Sequence, residues 1–128
     1  MKLLLDTCTF LWIITDDDAL SARVRQLFLD EENEVYLSAV STWEIALKYK
    51  LGKLPLPDPP DRFIPKQREA HSIQPLALDE EATLQLVRLP PLHRDPFDRM
   101  LICQAIAGQL VILTPDEEIA RYPIRTLW

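Results

Sequence analysis

The chain has 128 residues, 20 acidic against 14 basic side chains, a formal charge of −6, and 48% apolar and 27% charged residues. That length and near-average composition predict one domain over residues 1–128 and exclude a disordered or fibrous chain. The acidic balance argues against a simple basic nucleic-acid-binding module, though not against an enzyme that meets phosphates through a bound cation.

Lys2-Leu3-Leu4-Leu5 is a short apolar run that predicts a buried strand ending at Asp6, an acid too early for the apolar region of a signal peptide. Thr7 to Ile14 predicts a helix packed on that strand, and Ser21 to Leu29 a second helix with Val24, Leu27 and Phe28 on one face. Glu34 to Ser38 is rich in strand formers. Ser41 to Leu51 follows with helical spacing, and Gly52 stands where a C-terminal cap is expected. Leu54 to Pro60 carries four prolines in seven positions and is a loop. Asp61 to Ala70 predicts a helix, Ser72 to Leu78 a strand, and Asp79 to Leu89 a helix ended by Pro90-Pro91. Pro96 to Ala107 predicts a helix closed by Gly108, Leu110 to Leu113 a second continuous strand, then a short helix from Pro115 and an edge strand in Ile124 to Trp128. No run approaches the roughly 18 apolar residues of a membrane span, so a cytoplasmic chain without membrane contact is expected.

Alternation of strands and helices with uninterrupted apolar strands predicts a three-layer α/β/α sandwich around a central, mostly parallel sheet. Ligands of such sheets bind outside the carboxyl ends of the strands. Acids stand there: Asp6 after the first strand, Glu44 one turn into the helix after the second, Asp95 and Asp98 opening the helix before Leu110 to Leu113, and Asp116 after that strand. Converging carboxylates repel one another unless they are paired or share a cation, and hard oxygen donors suit Mg²⁺. Such an ion can activate water and clamp phosphodiester oxygens, so metal-dependent phosphoryl transfer or hydrolysis is the implied chemistry.

Each acid also has a local explanation. Ser41-Thr-Trp-Glu44 fits a capping box, with Lys48 an i+4 partner of Glu44. Asp95-Pro96 fits a helix cap followed by proline, Asp98 the first helical turn, and Thr114-Pro115-Asp116 a second cap with Thr114 as the capping residue. Asp6 alone has no cap or partner in view. Cys8 and Cys103 are expected as reduced core residues, and two cysteines with two distant histidines cannot make a thiolate zinc site.

The stretches LLLDTCTFLW (3–12), LSAVSTWEIALKYKLGKL (37–54), HRDPFDRMLICQAI (93–106) and LVILTPDEEI (110–119) together resemble a PIN-domain ribonuclease of the toxin branch found in VapBC-type toxin–antitoxin modules. The resemblance runs in family order over essentially the whole chain. It implies an intracellular homodimer that cleaves RNA with Mg²⁺ or Mn²⁺ and is restrained by a VapB-like antitoxin. Matched position by position, it makes Asp6, Glu44, Asp98 and Asp116 the catalytic acids, with Asp6 and Asp98 holding metal. Thr114 matches the small hydroxyl position beside Asp116, Asp95 is a supporting or capping acid, and Thr7 is placed to hydrogen-bond the metal's water.

Lys48, Lys50, Lys53, His93, Arg94 and Arg99 flank these stretches as candidates for RNA contact, with Lys48, Arg94 and Arg99 preferred. His93 beside Arg94 makes a poor metal ligand. Trp12, Trp43 and Phe97 are expected in the core or an interface, and Thr7 to Ile14 and Trp43 to Leu51 are candidates for burial against a second subunit or an antitoxin helix. Three other readings compete: a PIN-type nuclease acting on other RNA or on DNA, a non-catalytic module of the same fold, and a phosphoryl-accepting receiver. The receiver needs paired acids after the first strand and a Lys after the last, and this chain has neither.

Overall fold

Lys2–Leu5 forms β1, and its alternation sets the layers of the computed structural model, which describes residues 1–128. Leu3 and Leu5 join a buried cluster with Phe10, Ile13, Val24, Leu37, Ile45 and Leu113. Leu4 points to the opposite face and joins Leu101, Ile102, Ile112, Ile119 and Tyr122. A strand covered on both faces gains from being apolar at every position, which is why the run carries no polar alternation.

β2 (Glu34–Ser38), β3 (Gln74–Leu76), β4 (Val111–Leu113) and β5 (Thr126–Leu127) complete one sheet of order β3-β2-β1-β4-β5, with every pair parallel. Seven helices surround it: α1 (Thr7–Thr15), α2 (Ala22–Leu29), α3 (Ala39–Lys50), α4 (Pro60–Ala70), α5 (Glu80–Leu84), α6 (Pro96–Gly108) and α7 (Glu117–Ala120). The sandwich expected from the strand–helix alternation is present, and its sheet is wholly parallel. No helix is long and apolar enough to cross a membrane. From β1 the chain builds outward through β2 to β3, then returns through α5 and α6 to place β4 on the other side of β1. That reversal opens a crevice at the carboxyl ends of the central strands, where Leu5 lies in register with both Leu37 and Leu113.

Several element boundaries differ from the sequence expectation. α3 starts at Ala39, directly off the strand, because the Ser38 hydroxyl accepts from the Val40 N–H at 2.9 Å. Glu44 therefore lies too deep in the helix to close a capping box with Ser41, and that explanation of Glu44 falls. The helix expected from Asp79 to Leu89 ends at Leu84 and tightens into a 3₁₀ turn over Gln85–Arg88. Only Ala82 of α5 is buried, and Pro90 draws Leu89 into an extended conformation. The strand expected from Ser72 to Leu78 shortens to three residues, since Ser72 is left-handed (φ 55°) and Pro75 cannot donate to the ladder. Asp116, not Thr114, caps α7, which begins at Glu117.

α6 includes Gly108, and Gln109 takes the left-handed position beyond it at φ 54°, ψ 49°. A β-carbon in that region crowds the following carbonyl, whereas glycine enters it freely. Gln109→Gly is therefore expected to stabilise the fold by about 0.5–1 kcal/mol and raise the thermal midpoint by a few degrees. Calorimetry checks this, and a lowered midpoint would mean that glycine's extra chain entropy outweighs the relieved strain.

Candidate active site

Asp6 leaves β1 and caps α1: Oδ1 accepts from the Thr9 N–H at 2.8 Å, and Oδ2 accepts from the Thr114 hydroxyl at 2.5 Å. Asp6 is thus not the partnerless acid that its sequence context suggests. Thr9 in turn donates to the Leu113 carbonyl at 2.9 Å, so the start of α1 is tied to the end of β4. Asp6 is only 7% exposed. Burial pushes its carboxyl above the usual aspartate value, the hydrogen bonds from Thr114 and Thr9 oppose the rise, and the Asp116 charge adds to it.

Glu44 is equally buried on α3. Its Oε1 accepts from the Thr7 hydroxyl at 2.6 Å, and its Oε2 lies 2.5 Å from Lys48 Nζ. Thr7 also lies 3.0 Å from the Ser41 hydroxyl, so the first residue of α1 is bonded to α3. The hydrogen bond to Glu44 raises the Lys48 ammonium above its ordinary value, against partial desolvation. The i+4 ion pair read from sequence is therefore formed, and Lys48 keeps about half of its side-chain surface in solvent.

Asp98 stands in the first turn of α6, and Asp95 caps that helix by accepting from the Phe97 and Asp98 N–H groups at 2.9 and 3.0 Å. Burial lifts the Asp98 carboxyl to about 6; the Asp95 charge adds to the rise, the His93 hydrogen bond opposes it, and Asp116 adds again. Asp116 caps α7, with Oδ1 accepting from the Glu118 N–H at 2.8 Å. The Thr114 hydroxyl accepts from the Asp116 N–H at 3.0 Å while donating to Asp6, and so links two of the acids. Asp116 raises both Asp6 and Asp98 and so lies within electrostatic reach of each.

Cys8 senses the same field. It is exposed, not a core thiol as expected, because α1 turns its apolar face to the sheet at Phe10 and Ile13 and leaves Cys8 at the rim. Partial burial raises its thiol, and the charges of Asp6 and Glu44 raise it further. Cys103 is buried as predicted.

No three His, Cys, Asp or Glu side chains close around a common point in this arrangement. Both oxygens of Asp6 and of Glu44 are engaged in hydrogen bonds, whereas Asp98 and Asp116 each have one oxygen engaged. The donor set nevertheless suits a hard divalent cation: all are carboxylate oxygens, and Asp6 and Asp98 are both held above their ordinary values, which a cation would reverse.

The basic residues separate. Lys48 borders Glu44, and Arg94 is exposed. Arg99 turns inward instead, its Nη1 donating to the Pro90 carbonyl, the His93 carbonyl and the Tyr122 hydroxyl at 3.0, 3.3 and 3.0 Å. His93 likewise turns away from the surface: its ring bonds to Tyr122 and Asp98. Trp43 is 57% exposed and so lies outside the core, and it meets Phe97 edge-on at 4.8 Å, while Trp12 packs against Trp128 at 5.7 Å. Sequence reasoning missed Tyr122 and gave Ser41 only a capping role; both join the site through long-range contacts that no local spacing announces.

The family described as PIN domain matches residues 3–124 of this chain. Among curated proteins, the chain is similar to Ribonuclease VapC16 of Mycobacterium tuberculosis, 41% identical over 59 residues. That match covers 46% of this chain and 42% of the relative, less than half the length of either. Several solved structures share the fold. One is VapBC2 of Rickettsia felis bound to a DNA fragment from their promoter, with a TM-score of 0.69 at 16% identity, covering 100% of this chain and 99% of that one. Another is DNA-bound VapBC of Salmonella typhimurium, with a TM-score of 0.69 at 21% identity, covering 99% of this chain and 97% of that one.

Proposed function

The chain belongs to the PIN-domain family, and from that premise we propose that it is a metal-dependent endoribonuclease, the toxin of a type II toxin–antitoxin module. The observation that carries this reading is the hydrogen-bonded link of Asp6 to Asp116 through Thr114 beside β1, with the Asp116 charge bearing on both Asp6 and Asp98 and with Glu44 buried nearby against Thr7. One PIN unit spans residues 1–128.

Asp6 and Asp98 would hold Mg²⁺ or Mn²⁺. When bound, such an ion supplies an activated water and offsets charge on the phosphate oxygens. The chain's own groups prepare the pocket. Thr114 and Thr9 fix the Asp6 carboxylate, Thr7 fixes Glu44, and Asp116 completes the acidic wall. Asp95 serves as the cap of α6. Lys48 and Arg94 are the RNA phosphate contacts, and Arg99 belongs to the framework behind the site.

A VapB-like antitoxin and a second copy of the chain are the proposed partners, in the cytoplasm. Trp43 and Leu47 of α3 and Leu51 at its C-cap form an exposed apolar stripe at helical spacing, a surface suited to burial against either. The names of the relative and of the two structural neighbours support this assignment.

The test is cleavage of a mixed RNA population by the purified protein in Mg²⁺, in Mn²⁺ and in EDTA, with metal binding followed by calorimetry. Cleavage that needs the metal is the expected outcome. A folded protein with neither cleavage nor metal binding would leave a non-catalytic module of the same fold.

A further inference from the structure

The Tyr122 hydroxyl is 2.7 Å from His93 Nδ1, 3.1 Å from the His93 backbone N–H and 3.0 Å from Arg99 Nη1, and His93 Nε2 is 3.2 Å from Asp98 Oδ2. A phenol has one hydrogen and two acceptor positions. The backbone N–H and the guanidinium can only donate, and together they occupy both acceptor positions. The single hydroxyl hydrogen must then go to His93 Nδ1, which must be the unprotonated nitrogen. The ring hydrogen consequently sits on Nε2 and points to Asp98. The opposite tautomer would bring three donors to a two-acceptor hydroxyl and set a lone pair against a carboxylate oxygen. One proton arrangement satisfies all four contacts.

We infer that Tyr122 and His93 are positioning residues that hold the Asp98 carboxylate in a single orientation, with Oδ2 committed to the imidazole and Oδ1 left for the crevice. The consequence for the metal rests on the nuclease reading above; the proton arrangement does not. Tyr122 is only 3% exposed and comes just after Arg121, the C-cap of α7, where its N–H donates to the Ile119 carbonyl at 3.2 Å. The relay therefore joins the helix carrying Asp98 to the turn whose cap is Asp116, and fixes the spacing of those two acids as well as the rotamer of one. Arg99, one residue after Asp98, braces the hub from the α6 side.

The test uses the full chain with Tyr122→Phe, His93→Ala and His93→Gln. In the metal-free wild type at pH 8, nitrogen–proton NMR should show the His93 ring in one tautomer, with a slowly exchanging proton on Nε2. That slow exchange should be lost in a folded Tyr122→Phe protein. Outer hydrogen-bond partners of metal ligands typically change affinity about 10–100-fold, so Tyr122→Phe and His93→Ala should each weaken Mn²⁺ binding by about 10-fold. The turnover number should fall in the same proportion while KM for RNA stays unchanged. His93→Gln, whose amide can still donate to Asp98, should recover most of the loss, which a purely structural role would not predict. A wild-type ring protonated on Nδ1 overturns the relay, as do folded Tyr122→Phe and His93→Ala proteins with wild-type Mn²⁺ affinity and turnover. Should the wild type bind no Mn²⁺ and cleave no RNA while keeping the Nε2 proton, the nuclease reading fails and the relay stands.

Discussion

Asp98→Asn should reduce RNA cleavage by roughly 10²–10³-fold or more and yet unfold at a higher temperature than the wild type in EDTA at pH 7. The loss follows from removing a charged ligand that the proposed ion needs. The gain follows from the field that the fold imposes on that carboxyl. Its pKa stands at about 6 against an ordinary value of 3.8. Between those two values the folded chain holds a proton that the unfolded chain has already released. Stability therefore falls as pH rises through that window and stays lower above it.

At face value this shift corresponds to about 3 kcal/mol, and partial exposure of the group screens it to roughly 1–2 kcal/mol. Asparagine carries no charge to desolvate and can still accept from His93. The variant's midpoint should exceed that of the wild type by about 3–8 °C at pH 7. Thermal scans from pH 4 to 8 in EDTA check both sign and window: the gap should narrow toward pH 4, where the wild-type carboxyl also becomes neutral. Equal midpoints at pH 7, or a gap that widens on acidification, would contradict the electrostatic account.

The second large effect concerns Asp6, where one side chain has two tasks that two substitutions separate. Asp6→Asn keeps an acceptor for the Thr9 N–H and an amide that can donate to the Thr114 hydroxyl, and it removes a charge that burial disfavours. It should fold with wild-type stability or better and lose about 10²–10³-fold in cleavage. Asp6→Ala loses the same activity and in addition leaves the Thr9 N–H and the Thr114 hydroxyl without their partner. The lost cap and the unpartnered buried hydroxyl each cost about 1 kcal/mol, and relief of the buried charge returns part of that. A net loss of about 1–2 kcal/mol is expected, read as a lower midpoint for alanine than for asparagine. Equal stability of the two variants would show that Asp6 contributes its charge and not its cap.

The two substitutions also show how much of the site the sequence carried. The placement of Asp6, Glu44, Asp98 and Asp116 at strand–helix junctions was visible because the apolar runs before Asp6 and Asp116 mark strands, and parallel strands bring their ends to one edge. The local roles of these acids were less visible. Asp6 caps α1 through a side-chain bond that closes only once the helix forms, and Glu44 lost its capping box because Ser38, not Ser41, starts α3. Arg99 looked like a surface cation in HRDPFDR, yet three oxygens around its Nη1 draw it inward. Cys8 looked apolar by its neighbours, but a helix of nine residues has an outer side as well, and Cys8 lies on it.

By itself the sequence determined the layered fold. Periodicity and punctuation are local: an apolar run such as Leu3-Leu4-Leu5 must be covered on both faces, and a proline or a capping serine acts within one turn of itself. The tertiary structure alone decided what each functional group faces. Tyr122 meets His93 across 29 positions and Thr114 meets Asp6 across 108. Hydrogen bonds of that span depend on how strands order and helices return, and burial, which raises Asp6 and Asp98, belongs to the packed whole and to no segment of it.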